Sequence, residues 1–194
     1  LTCCNLRCTY CDTSYAFKNG QKMRISEIVA KIKSYNTPYV LITGGEPLLQ
    51  RETTTLINTL LDGKYLVSLE THGEISLEKV NPKTKIIMDI KTPSSGMCRG
   101  AFVKNIPFLK SNDEIKFVIA SQTDYFWAIQ ILQQHSFLTR EIILSPATAE
   151  KDQPGTFPAV EPVWLANQIL KDKLPVRFQL QLQKVLWGKN LQGI

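Results

Sequence analysis

The chain has 194 residues, 43% hydrophobic and 21% charged, which gives one domain a real core and is too little charge for a disordered chain. No run approaches the roughly 18 apolar residues of a membrane span, and no basic stretch leading into an apolar one marks a secretory signal. With 23 basic and 17 acidic residues the formal charge is +6, which suits an anionic ligand or a nucleic acid without choosing between them.

The chain opens on Leu1 and enters a cysteine motif at once, so a native N-terminal strand is expected ahead of it. Of the five cysteines, Cys3, Cys4, Cys8 and Cys11 fall at the start and Cys98 lies far off. A secreted disulfide scaffold would spread an even number along the chain, so the clustering points to metal binding in a reducing compartment. Cys4, Cys8 and Cys11 are spaced C-x3-C-x2-C. A structural zinc site wants four ligands, but no second cysteine pair follows and His72 and His135 stand alone. Three thiolates on a cube of four irons leave one iron open for substrate or cofactor.

Beyond this loop, Ser26 is placed to cap a helix carrying Ile28, Val29, Ile32 and Tyr35 on one stripe. Val40–Thr43 is a short β-branched run ending at Gly44-Gly45-Glu46-Pro47. Leu56, Ile57, Leu60 and Leu61 form a second helical stripe, with Gly63 as its stop. Strand patterns recur at Tyr65–Glu70, Lys85–Ile90, Ile115–Ile119 and Glu141–Leu144. Ser121 and Asp124 make a capping box ahead of Trp127, Ile131 and Leu132, and Pro162 opens a helix through Lys171. The proline-rich stretch from Ser145 to Val160 reads as a loop or lid. Val176, Phe178, Leu180 and Leu182 alternate with polar residues, the pattern of a half-buried strand.

Six strands separated by helices imply parallel βα units, closing into a full or partial barrel or spreading as an open sheet. In both, ligands bind at the carboxyl ends of the strands. The chemical-looking motifs fall there: Gly44–Pro47, Glu70-Thr71-His72-Gly73, Asp89-Ile90-Lys91 with Thr92–Gly96, and Ser145-Pro146.

C-x3-C-x2-C with Tyr10 before the last cysteine, followed one βα unit later by Gly44-Gly45-Glu46-Pro47, resembles the radical S-adenosylmethionine (SAM) superfamily. The resemblance implies an α/β partial (βα) barrel with a parallel sheet, spanning residues 1–194 as a single domain. It also implies a 4Fe–4S cluster whose open iron is chelated by SAM, and a 5′-deoxyadenosyl radical made from it. More narrowly, Cys8-Thr9-Tyr10-Cys11-Asp12-Thr13, Glu70–Gly73, Asp89-Ile90-Lys91-Thr92-Pro93-Ser94-Ser95-Gly96-Met97 and Phe178–Lys184 resemble the 7-carboxy-7-deazaguanine synthase family. That likeness implies a carbon–nitrogen lyase that contracts 6-carboxy-5,6,7,8-tetrahydropterin to 7-carboxy-7-deazaguanine with loss of ammonia, in queuosine and deazapurine biosynthesis.

Carried over residue by residue, Cys4, Cys8 and Cys11 would hold the cluster and Thr13 a magnesium ion. Tyr10, Asp12, Gly45, Glu46, Gly73, Asp89, Ile90 and Lys91 would surround SAM and the cluster, with Cys11 at their junction. Thr71 and the terminal carboxylate of Ile194 would touch substrate. The likeness further implies a flavodoxin- or ferredoxin-type reductant, a cytoplasmic homodimer, and no membrane or direct nucleic-acid partner. The family commonly has Gly at position 3, Asn at the position of His72 and His at that of Gln183. Two alternatives are a radical SAM activase of glycyl radical enzymes, which would need a protein groove, and a basic zinc-binding RNA module. Asp12-Thr13 and the Ser94-Ser95-Gly96 run favour the small-molecule enzyme.

Overall fold

The computed structural model describes residues 1–147 and 159–187. Its centre is a six-stranded, all-parallel sheet: β1 (Tyr39–Ile42), β2 (Leu66–Thr71), β3 (Lys85–Asp89), β4 (Glu114–Ile119), β5 (Glu141–Pro146) and β6 (Arg177–Phe178). The strands lie side by side in chain order. β1 and β6 are the two edges, so the sheet is an open, partial barrel.

The register explains why the strands read as apolar runs. Ile42 lies level with Leu69, Leu69 with Ile86, Met88 with Ile115, and Phe117 with Leu144. All are buried on one face. They pack in one core with Leu56, Ile57 and Leu60 of α2 (Thr53–Asp62), Tyr125, Ala128 and Ile131 of α3 (Gln122–Gln134), and Leu165 and Ile169 of α4 (Pro162–Lys171). Each fully buried Leu, Ile or Phe stabilises by roughly 1.5–3 kcal/mol relative to exposure. Alternate side chains turn to the opposite face, which is polar: Glu70, Asp89, Glu114, Lys116 and Arg177 stand there.

Three sequence expectations are corrected. The first helix, α1 (Ile25–Ser34), is capped by Arg24, with Ser26 inside it. The Glu27 carboxylate accepts both the Arg24 amide (2.7 Å) and its guanidinium (2.8 Å), which fixes the start. The crossover from β2 to β3 carries no helix, and that from β3 to β4 carries a 3₁₀ segment, Ala101–Phe108, whose Pro107 lacks the amide an α-helix needs. The alternating run Val176–Leu182 is a two-residue strand, after which Leu182 opens α5 (Leu182–Leu186). Phe178, Leu180 and Leu182 are exposed there, because among the described residues nothing packs outside edge strand β6.

The other boundaries agree with the sequence reading. Ser121 and Asp124 form the capping box of α3, and Pro162 starts α4. α2 ends at Gly63, although the left-handed residue there is Lys64 (φ 65°). Most of the proline-rich loop expected over Ser145–Val160 lies outside the described residues, and Ser145 and Pro146 belong to β5.

Candidate active site at the carboxyl ends of the strands

The cysteine loop is sewn between two of the strand-end turns. On one side Leu1 N donates to Thr43 O (2.6 Å), Gly45 N to Leu1 O (2.9 Å) and Glu46 N to Cys3 O (2.7 Å). Any side chain on Gly45 would overlap the Cys3 carbonyl, so the second glycine of the turn is the space the loop occupies. On the other side Thr9 donates to Ser95 O through its amide (3.0 Å) and to Ser94 O through its hydroxyl (2.6 Å). The Thr92 hydroxyl gives its proton to Val118 O (2.9 Å), so Tyr10 OH is the donor in its 3.2 Å contact with Thr92. Arg7, whose guanidinium lies 4.2 Å over the Phe17 ring, donates to the carbonyls of Cys4 and Leu6 (2.7 and 2.6 Å).

Cys4, Cys8 and Cys11 are half-buried free thiols on this loop. Burial pushes the Cys8 thiol up to about 11, with Asp89, Cys11 and Cys4 adding to it against Lys91. Burial raises Cys11 as well. Thiols held so high ionise near neutrality only when a cation takes the proton's place, and a soft, multiply charged iron cluster fits that donor set. Among the described residues no three His, Cys, Asp or Glu side chains converge as ligands of one ion.

Glu46, with no exposed surface, faces inward. Its carboxylate accepts from Leu48 N (3.0 Å), His72 N (2.9 Å) and the Thr71 hydroxyl (2.9 Å). Burial still raises its carboxyl above the ordinary value. The motif glutamate thus ties the Gly44–Pro47 turn to the end of β2, and Thr71 spends its hydroxyl on the same job. His72 is buried beside them. Its Nδ1 accepts the Glu74 amide (3.0 Å), which leaves the proton on Nε2, 2.9 Å from Asn5 Oδ1 and 3.3 Å from Glu46 Oε2. Burial, with Lys91 adding, lowers His72 to about 4, so it is neutral. At Gly73 (φ 74°) a Cβ would come within 2.8 Å of Met88.

Asp89 and Lys91 form an ion pair of 2.9 Å at the end of β3, both side chains mostly covered. Burial opposes the Lys91 charge, but Asp89, Tyr10 and Cys8 outweigh it and raise its pKa. Asp89 Oδ1 is buried and accepts no hydrogen bond, an orphan acceptor of the kind a ligand hydroxyl or amine would satisfy. Ile90 between them is fully buried and donates its amide to Lys116 O (2.9 Å).

On the outer side of the loop, Thr13 donates to Asp12 Oδ1 (2.9 Å), while Gln181 and Lys184 reach Asp12 Oδ2 at 2.7 and 3.1 Å. Ile194 lies outside the described residues. Of the sequence-derived site residues, the structure therefore brings Cys4, Cys8, Cys11, Tyr10, Asp89 and Lys91 within electrostatic reach of one another. It joins Glu46, Thr71 and Gly73 through hydrogen bonds beside Gly45, and sets Asp12 and Thr13 against Gln181 and Lys184.

Sequence reasoning missed the Glu70–Lys116 pair (2.9 Å), the inward role of His72, and Asn105, which ties down the β2–β3 crossover. Lys116 had a signal: a lysine inside an otherwise apolar strand of a parallel sheet. Its pKa is raised because Asp89 and Glu70 outweigh burial.

The model of the radical SAM superfamily matches residues 1–93. The chain is 41% identical over 202 residues to the 7-carboxy-7-deazaguanine synthase of Koribacter versatilis, covering 100% of this chain and 89% of that one. It is 38% identical over 195 residues to the synthase of the same name from Chlorobaculum tepidum, covering 98% and 84%. Among solved structures, Streptococcus suis SuiB bound to S-adenosylmethionine superposes with a TM-score of 0.62 at 12% identity, over 95% of this chain. The chain spans about half of that protein (50%), and at this identity the match speaks to the fold alone. The chain belongs to the 7-carboxy-7-deazaguanine synthase family of the radical SAM superfamily.

Proposed function

We propose that this protein contracts 6-carboxy-5,6,7,8-tetrahydropterin to 7-carboxy-7-deazaguanine with loss of ammonia. The observation that carries the reading is the placement of Cys4, Cys8 and Cys11 against the Asp89–Lys91 pair, between two strand-end turns, in a chain so similar to synthases of that name. When bound, a 4Fe–4S cluster with SAM supplies radical hydrogen abstraction. Cys4, Cys8 and Cys11 would hold the cluster. Asp89, with its orphan oxygen, and Lys91 would meet polar groups of SAM. Gly44 and Gly45 let the Leu1–Cys3 backbone, and Gly73 lets Met88, pack close against the strand-end turns that would face SAM, and Tyr10 is held by Thr92 beside them. Thr13 would give a hydroxyl oxygen to magnesium, a hard cation that accepts one neutral protein ligand with substrate and water.

The reading includes a flavodoxin- or ferredoxin-type reductant, a cytoplasmic setting and a homodimer. The exposed apolar side chains of Phe178, Leu182, Val185, Leu186 and Trp187 support self-association. Among the described residues no helix is long and apolar enough to cross a membrane.

The test is anaerobic reconstitution with iron and sulfide, followed by reduction and incubation with SAM, magnesium and the carboxylated tetrahydropterin. The deazapurine should form, and Cys8→Ala should lose both product and the brown colour of the cluster. SAM turnover without any deazapurine overturns the substrate. A glycyl radical raised on a partner protein would favour the activase instead.

A further inference from the structure

The polar face of the sheet carries charge in steps that descend from the thiol loop. Cys8 feels Lys91 and Asp89; Lys116 in turn feels Asp89, Glu70 and Lys91. Asp89 lies level with Lys116 in the register. Ile42 lies level with Leu69, which puts Thr43 level with Glu70, and the Thr43 hydroxyl reaches Glu70 Oε2 at 3.4 Å. The Glu70–Lys116 pair is thus the next charged step after Asp89–Lys91. It is also more open: its side chains are 26% and 21% exposed, against 12% and 15% for Asp89 and Lys91.

An apolar pair of the same volume would hold two parallel strands together at least as well, since a partly desolvated ion pair gains little. What Glu70 and Lys116 add is a fixed edge with a donor beside an acceptor. Lys116 gives one ammonium proton to Glu70 Oε1 at 2.9 Å and keeps two. Glu70 keeps most of its lone pairs. The complement of such an edge is a carbonyl oxygen beside a ring N–H, the lactam edge of a pterin.

We propose that Glu70 and Lys116 recognise the substrate's lactam edge, Lys116 donating to the ring carbonyl and Glu70 accepting from the neighbouring ring N–H. This assignment rests on the pterin substrate proposed above. It goes beyond that reading in placing recognition on two residues of the sheet itself.

The test measures binding of the carboxylated tetrahydropterin by calorimetry to SAM-loaded, unreduced enzyme, where no turnover occurs. Lys116→Met and Glu70→Gln should each weaken binding by about tenfold or more, as loss of a hydrogen bond to a charged group does. The charge-reversed double variant Glu70→Lys/Lys116→Glu rebuilds the ion pair with donor and acceptor exchanged. It should melt near the wild-type temperature yet fail to recover affinity. Affinity recovered by the reversal, or single variants binding within about threefold of wild type, overturns the assignment and leaves a purely structural pair. Should the single variants not fold, the reversed variant decides alone. If wild-type enzyme neither binds nor converts the pterin, the substrate reading itself has failed and takes this assignment with it.

Discussion

Gln181 Nε2 donates to Asp12 Oδ2 across 2.7 Å, joining residues 169 positions apart. Lys184 Nζ reaches the same oxygen at 3.1 Å. The C-terminal helix α5 is thereby latched to the cysteine loop through one carboxylate. Burial alone would raise the Asp12 pKa, but Lys184 and hydrogen bonds from Thr13, Lys184 and Gln181 outweigh it and hold it below the ordinary value.

Asp12→Asn keeps the shape and removes the charge. Because Asp12 is about a third exposed (35%), the ion pair contributes no more than about 1 kcal/mol. The expected outcome is a small change in melting temperature with a clear rise in hydrogen exchange across Leu182–Leu186. The same loosening should appear in wild-type protein at low pH. A depressed carboxylate stabilises fully above its unfolded pKa of about 4, and that contribution is lost as pH falls through the still lower folded value. Unchanged exchange in the variant would rule out the latch.

His72 sets a second pH dependence, at higher pH. Its folded pKa of about 4 lies below its unfolded value of 6.5. Between those values the unfolded chain binds a proton that the folded protein refuses, so stability falls as pH drops from 6.5 toward 4. The loss is on the order of 2–3 kcal/mol. Gln at this position retains an N–H for Asn5 and an acceptor for Glu74 but does not titrate. Thermal unfolding from pH 7 to pH 4 should therefore show a flatter slope in His72→Gln than in wild type, and parallel slopes would refute the assignment.

Asn105 offers the largest expected stability effect. It is 2% exposed, donates to Gly73 O (2.7 Å) and Ile75 O (2.8 Å), and accepts the Leu77 amide (2.9 Å). This one side chain replaces the internal hydrogen bonds that a helix would have given the β2–β3 crossover. Asn105→Ala leaves three backbone groups unsatisfied and should cost about 2–4 kcal/mol, read by urea unfolding. A loss under about 1 kcal/mol would mean that the crossover holds itself.

The cysteine motif, Gly44–Pro47 and the five longer strands were legible because each depends on local rules: ligand spacing, a tight turn, and continuous apolar runs in strands covered by helices. Val176–Leu182 misled because alternation reports burial only where something packs on one face, and β6 is an edge. Glu46 and Thr71 stand out in the sequence as polar groups at strand ends, but their hydrogen bond to each other across 25 residues has no local signature. Asn105 and the Asp12–Lys184 pair gave no signal at all, because their partners are set by the topology. Lys116 does carry one, a charge inside the apolar run Ile115–Ile119.

Cys3 carries the last prediction. Its φ of 72° lies in the left-handed region, where a Cβ costs about 1–2 kcal/mol. Its amide and carbonyl are both spent, on Ala16 O (2.8 Å) and the Glu46 amide (2.7 Å), and its side chain is exposed. The residue is held in that conformation by its neighbours, and its thiol contributes little packing. Gly fits the same backbone without strain but frees the unfolded chain, which offsets part of the gain. Cys3→Gly should thus raise stability by about 0.5–1 kcal/mol, while Cys3→Ala, which keeps the Cβ, should leave it nearly unchanged. Neither should reduce iron content after reconstitution if, as proposed, Cys4, Cys8 and Cys11 are the ligand set. Loss of iron in both variants would put Cys3 among the ligands, and equal stability in the two would show that the left-handed backbone carries no cost here.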